Sequence, residues 1–153
     1  LYTLIYKKLG TARSFKRKLW MAGLVVLAYC SHALFFVHGE HLKSAEVRKE
    51  YTDLHPIIRL AVATLIHVDQ RAMVTDASRA PHDYDKMGLP RNARSLHLIQ
   101  GDGYAHAVDL RTTGRPEWVN ALVTVYFKAM GLETLRHVGT ADHLHVSLPR
   151  ISL

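Results

Sequence analysis

The sequence predicts an α+β fold, a small antiparallel sheet packed with helices, and three observations carry that expectation. Leu54, Ile57, Ile58, Ala61, Leu65 and Val68 recur at helical spacing within LHPIIRLAVATLIHV. YAHAVDL and HLHVSL alternate with the period of strands that bury one face. ETLRHVG and HLHVSL stand a short turn apart, so they read as a hairpin. Strands and helices are therefore mixed, with hairpin pairing at the end of the chain.

Taken in order, residues 1–19 form a basic tail holding Lys7, Lys8, Arg13, Lys16, Arg17 and Lys18. Residues 20–37, WMAGLVVLAYCSHALFFV, carry no formal charge and predict an apolar helix just long enough to cross a bilayer. Six cations ahead of this run keep the N-terminus in the cytoplasm by the positive-inside rule and send the remainder out. The run reads as a signal anchor or as the core of a signal peptide, although no clear small-x-small cleavage site follows it. LAYC, ending at Cys30, resembles a lipoprotein box except that Tyr29 is large. A buried core helix would share the apolar composition but not the cations in front of it. The chain as given begins at Leu1, and Met21 offers an alternative start.

Residues 38–52 are a polar linker or helix. Residues 53–150 form the functional domain. Asp53 is placed to cap a helix with Pro56 in its first turn, where Pro is tolerated. A short strand is expected around Ala72 to Ala77, then a polar loop, SRAPHDYDKMGLPRNARS, broken by Pro and Gly. YAHAVDL follows as a strand, and RPEWVNALVTVYFKAMG as a helix closed by Gly131.

Composition narrows the function. Apolar residues make up 48% of the 153, enough for a core, and the formal net charge is +7. From Glu40 onward there are 14 Lys and Arg against 13 Asp and Glu, so the basicity belongs to the tail. A nucleic-acid-binding domain would carry its own basic face, and that class is set aside. Cys30 is the single cysteine, which excludes an intrachain disulfide and any cysteine-based zinc site. Eleven histidines leave His, Asp and Glu as the available metal ligands.

The strand alternation singles out residues. Leu144, Val146 and Leu148 share one face of HLHVSL, and His143, His145 and Ser147 the other. In YAHAVDL, Asp109 shares a face with Ala105 and Ala107, which leaves space above it; Asp is otherwise poorly suited to a strand interior. His97, Asp109 and His145 would give zinc two nitrogens and one oxygen, with a fourth position for water. Asp142, three residues before His145, is a candidate acid/base, and Arg79 a candidate contact for a carboxylate or an oxyanion. Each has a plainer reading: surface histidines, Asp109 opening a turn, Asp142 capping one, Arg79 solvated in its loop.

These segments resemble a known family: zinc D-alanyl-D-alanine carboxypeptidases, vancomycin-resistance D,D-dipeptidases and phage L-alanyl-D-glutamate endopeptidases, the last being endolysins. The family signature is Ser-x-His-x-x-Gly-x-Ala-x-Asp, followed far downstream by Glu or Asp-x-x-His. Here Ser95-Leu-His97, Ala105-His-Ala107-Val-Asp109-Leu and Asp142-His-Leu-His145 occur in that order. The phage branch is similar to AHAVDL and uses Asp where Asp142 stands. LHPIIRLAVATLI resembles that branch's leading Leu-x-His-Pro helix, and Ser78-Arg79 its Arg-bearing segment. The likeness runs from about Leu54 to Leu148.

The resemblance implies Zn2+ on His97, Asp109 and His145, in a cleft on a sheet of the kind hedgehog domains share. It implies Asp142 as acid/base, Arg79 as substrate or transition-state contact, and His106 as a non-ligand. The substrate it implies is the stem peptide of bacterial peptidoglycan, cut at L-Ala-D-Glu or at D-Ala-D-Ala, by a protein of phage or bacterial origin. The place it implies is outside the cytoplasm, at the periplasm or cell wall. Eleven residues separate His97 from Asp109, more than the family has, and Ala105 replaces its Gly. Two outcomes are open: Gly101-Asp102-Gly103 bulges out and leaves the ligands in place, or His97 is displaced and Asp102 or His106 substitutes. An inactive zinc or cell-wall binding module of the same fold is the alternative function.

Overall fold

The computed structural model describes residues 14–35, 39–86, 88, 90, 92–139 and 142–150. It divides into two units, Leu1–Phe36 and Val37–Leu153. In the first, helix α1 (Ser14–Phe35) runs for 22 residues, about 33 Å at 1.5 Å per residue. It begins earlier than the apolar run because Lys16, Arg17 and Lys18 are good helix formers and continue the same helix. Trp20, Leu24 and Leu27 are exposed along it. By length and composition the stretch Phe15–Phe35 can cross a membrane or serve as a signal sequence. The rest of the basic tail, with Lys7, Lys8 and Arg13, and the end of the apolar run at Phe36 and Val37 lie outside the described residues.

The second unit is α+β, as predicted. Helix α2 (Ala45–Tyr51) starts at Ser44, whose hydroxyl accepts the Val47 N–H at 3.2 Å. Helix α3 (Pro56–Val68) carries the apolar stripe, with Ile58, Ala61, Val62 and Leu65 buried, but Ile57 and Val68, expected in the stripe, are exposed. Its cap is His55, not Asp53: Nδ1 of His55 accepts from the Ile57 N–H at 3.3 Å. Asp53 lies too far from the first turn and instead accepts a hydrogen bond from Ser78 at 2.9 Å. After strand β1 (Val74–Asp76), the stretch expected as loop contains a short helix, α4 (Pro81–Lys86). The Asp83 carboxylate accepts the Ala80 N–H at 2.8 Å and so holds its first turn.

Strand β2 (Ala107–Arg111), helix α5 (Glu117–Ala129) and the hairpin of β3 (Glu133–His137) and β4 (His143–Ser147) complete the unit. Gly131 ends α5 as expected, with φ +79°. Its N–H bonds Lys128 O, and the Leu132 N–H bonds Phe127 O, both at 3.0 Å, so orphan carbonyls of the last turn are satisfied. The sheet is antiparallel in the order β1-β2-β4-β3. Val108, Leu110, Leu144 and Val146 are buried in a core with Ile58, Val62 and Phe127. Strand periodicity therefore turns Asp109, His143 and His145 to the opposite face.

Phe127 is fully buried, and Phe127→Ala is expected to cost about 3–5 kcal/mol through lost transfer and a residual cavity. Trp118→Ala, on the exposed side of the same helix, is expected to stay within about 0.5 kcal/mol. Urea unfolding of the full chain in detergent checks the pair.

Candidate metal centre

The two central strands set the centre. Asp109 on β2 stands directly opposite His145 on β4. His145 Nδ1 lies 2.8 Å from Asp109 Oδ1. His97 comes from the segment before β2, with Nε2 3.2 Å from His145 Nδ1 and 3.4 Å from Asp109 Oδ1. These three residues form a group able to hold a metal ion. One ion could reach all three donors at zinc-ligand distances and keep a further position for water. Mutual separations near 3.3 Å are about what such bonds impose, and the observed three bracket that value.

His97 is fixed in orientation. Its Nδ1 donates to the Ala77 carbonyl at 2.6 Å, so Nε2 faces its partners: it donates to Asp109 when the ring is protonated and offers a lone pair when the ring is neutral. Its backbone carbonyl accepts the Arg79 N–H at 2.8 Å. The long spacing to Asp109 is absorbed by a closed turn. Ile99 bridges Ala105, the Gln100 N–H bonds Tyr104 O at 2.8 Å, and the His106 N–H bonds Leu96 O at 2.7 Å. Gly103 takes φ +86° inside this turn, a conformation glycine adopts at no steric cost. The bulge leaves His97 in the centre, whereas Asp102 and His106 pair with each other at 2.8 Å.

Electrostatics follow from placing a carboxylate inside. Burial alone would raise the pKa of Asp109. Hydrogen bonds with His145 and His97, aided by the charge of His97 and His143, outweigh it and hold the group far below the usual carboxylate range. Burial would likewise lower His97, but its hydrogen bond and charge interaction with Asp109, and the charge of Asp76, raise it above an ordinary imidazole.

Arg79 sits at the edge. Its Nε donates to Asp76 at 2.7 Å, its Nη2 also pairs with Asp76, and Nη2 lies 3.6 Å from Asp109 Oδ2. Asp142 is not hydrogen-bonded to the three donors. It forms an ion pair with Arg136, with Nη2 to Oδ2 at 3.1 Å, and accepts from the Thr112 hydroxyl at 3.0 Å. Arg136 stands opposite Leu144 and so belongs to the core face, where it also meets Glu117 of α5 at 3.2 Å. Asp142 nonetheless lines, with Arg79, Asp109 and His143, a cavity of about 670 Å³.

Sequence reasoning missed several neighbours. Asp76 anchors Arg79 and stands opposite Asp109; its place at the end of the predicted first strand was the available signal. His137 is another: it stacks on His143, which strand alternation places on the His145 face, with centroids 4.6 Å apart, and His143 Nε2 is 3.7 Å from Asp109 Oδ2. Only the hairpin register brings that pair together. Glu50 on α2 lines the same cavity, and burial together with the charges of Asp76 and Asp83 raises its pKa. Comparison with protein-family models, curated proteins and solved structures finds no match.

His145→Ala is expected to weaken metal binding by more than about 100-fold, beyond the usual cost of losing a mere outer partner. A proton competes with a metal for His97 Nε2. Since the His97 pKa lies above the ordinary imidazole value, affinity should fall as pH drops through that raised value and recover as pH rises. Cobalt titration followed by absorbance, at a series of pH values, reads both effects.

Proposed function

We propose that this chain is a zinc-dependent peptidase that hydrolyses stem peptides of bacterial peptidoglycan, of the L-Ala-D-Glu endopeptidase or D-Ala-D-Ala carboxypeptidase type. The observation that carries the reading is the convergence of His97 Nε2, Asp109 Oδ1 and His145 Nδ1 beside an open cavity. Two imidazoles and one carboxylate suit zinc, and a hydrolytic site keeps its fourth position for water. A bound zinc ion would act as a Lewis acid and lower the pKa of water at that position.

The remaining work falls to the chain. His97 is kept in one tautomer by Ala77 O. Asp142 takes a proton at a carboxylate oxygen and returns it to the leaving amine, which requires that oxygen to exchange its Arg136 contact for the substrate side of the cavity. Arg79, held by Asp76, offers positive charge to a substrate carboxylate or to the developing oxyanion. Helix α1 would tether the domain to a membrane, with the peptidase outside the cytoplasm beside the wall.

One observation favours a second reading, a metal or wall-binding module without turnover. The Asp142 carboxylate is already committed to Arg136 and Thr112. The two readings separate on purified sacculi incubated with the full chain in detergent, with new amino termini counted. Zinc-loaded chain should release peptides, chelation should stop release, and zinc should restore it. Asp142→Asn should retain zinc and lose turnover by about 10²–10⁴-fold. Zinc binding with no release by the unaltered chain would leave the module reading standing and sink the peptidase.

A further inference from the structure

Asp142 lines the cavity that Asp109 opens on, yet its carboxylate is gripped from elsewhere by residues of three separate elements. Arg136 comes from β3, and Thr112 stands directly after β2. The guanidinium takes the carboxylate with two prongs: Nη1 pairs with Oδ1, and Nη2 donates to Oδ2 at 3.1 Å. The buried Thr112 donates its hydroxyl to Oδ1 at 3.0 Å. Both oxygens are thus drawn toward the core face, where Arg136 stands opposite Leu144, and not toward the metal donors. The backbone of Asp142 is fixed separately, since the Thr113 hydroxyl donates to its carbonyl at 3.3 Å. Freeing the carboxylate therefore takes a side-chain rotation and leaves the chain in place.

Arg136 has a second acid within reach. Its Nη2 also lies 3.2 Å from Glu117 Oε1, at the head of α5. The Glu117 side chain is 81% exposed, against 23% for Asp142 and 22% for Arg136. Breaking a partly buried ion pair is costly when it strands a cation without a partner. Glu117 removes that cost, because the guanidinium keeps one carboxylate when the other leaves.

We propose that Arg136 is a latch that holds Asp142 withdrawn until a substrate occupies the cavity, with Glu117 taking over the guanidinium on release. The proposal rests on the reading of Asp142 as the acid/base of a peptidase. Arg136 is then a positioning residue that acts through Asp142. While both prongs hold, the charge-assisted hydrogen bonds keep the carboxylate away from any proton on the metal side of the cavity. The strength of the latch is set by the competition between Asp142 and Glu117 for one cation. Lysine cannot reproduce it in full, since an ammonium lacks the planar fork that takes both oxygens at once.

The test uses the full zinc-loaded chain in detergent and two readouts. Carbodiimide-driven amidation of Asp142 by an added amine, located by tandem mass spectrometry, reads how often its carboxylate is free. Peptide release from sacculi reads turnover. Arg136→Gln should raise the amidation rate at least about threefold, and Arg136→Lys should raise it less. Glu117→Gln, at an exposed position that carries the test even if Arg136→Gln does not fold, should lower the rate. That lowering should vanish when Glu117→Gln is combined with Arg136→Lys or Arg136→Gln. Release should follow the same order. Amidation unchanged or slowed by Arg136→Gln overturns the latch, and so does amidation that Glu117→Gln leaves unchanged or speeds up. Release that falls in Arg136→Gln while amidation rises also overturns it, because the contact then serves turnover. Amidation in the expected order with no release from any chain supports the latch and sinks the peptidase reading.

Discussion

Asp109 and His145 face each other across the two central strands, and the register of that pairing governs the rest of the second unit. A strand has a side-chain period of two, so a slip of one residue would turn both toward the core and bring Val108 and Val146 outward. Leu110 and Leu144, packed with Phe127 and Ile58, make that slip costly. The apolar face thus fixes the polar one. The centre needs no dedicated scaffold beyond a well-buried sheet, because the hydrophobic interactions that exclude water on one side position ligands on the other.

A buried carboxylate must also be compensated. Asp109 has donors on both oxygens: His145 and His97 at Oδ1, Arg79 and His143 near Oδ2. Arg79 in turn is held by Asp76, which occupies the position opposite Asp109 on β1. Charges therefore alternate outward from the centre, and each is partly neutralised by its neighbour. Such an arrangement keeps the buried carboxylate from standing as an uncompensated charge.

Periodicity made much of this legible. The stripe on α3 and the alternation in HLHVSL announced their buried faces, and Gly131 announced the end of α5. Helix α4 gave little signal because six residues bury only Tyr84. The cap of α3 fell two residues beyond Asp53, since a histidine nitrogen can do what a carboxylate usually does. His97, Asp109 and His145 could be nominated by residue type and order, but their convergence depends on how the intervening turn closes. The partner of Asp142 was hidden for a different reason. Arg136 reaches it only because β3 pairs with β4 in a register that no local pattern in ETLRH reveals.

The turn from Ile99 to Ala105 separates length from geometry. Its two ends are tied to each other and to Leu96, so residues can be gained or lost at its tip while the chain enters and leaves at fixed points. A protein engineer could therefore graft a reporter at that tip with little disturbance to the strands below.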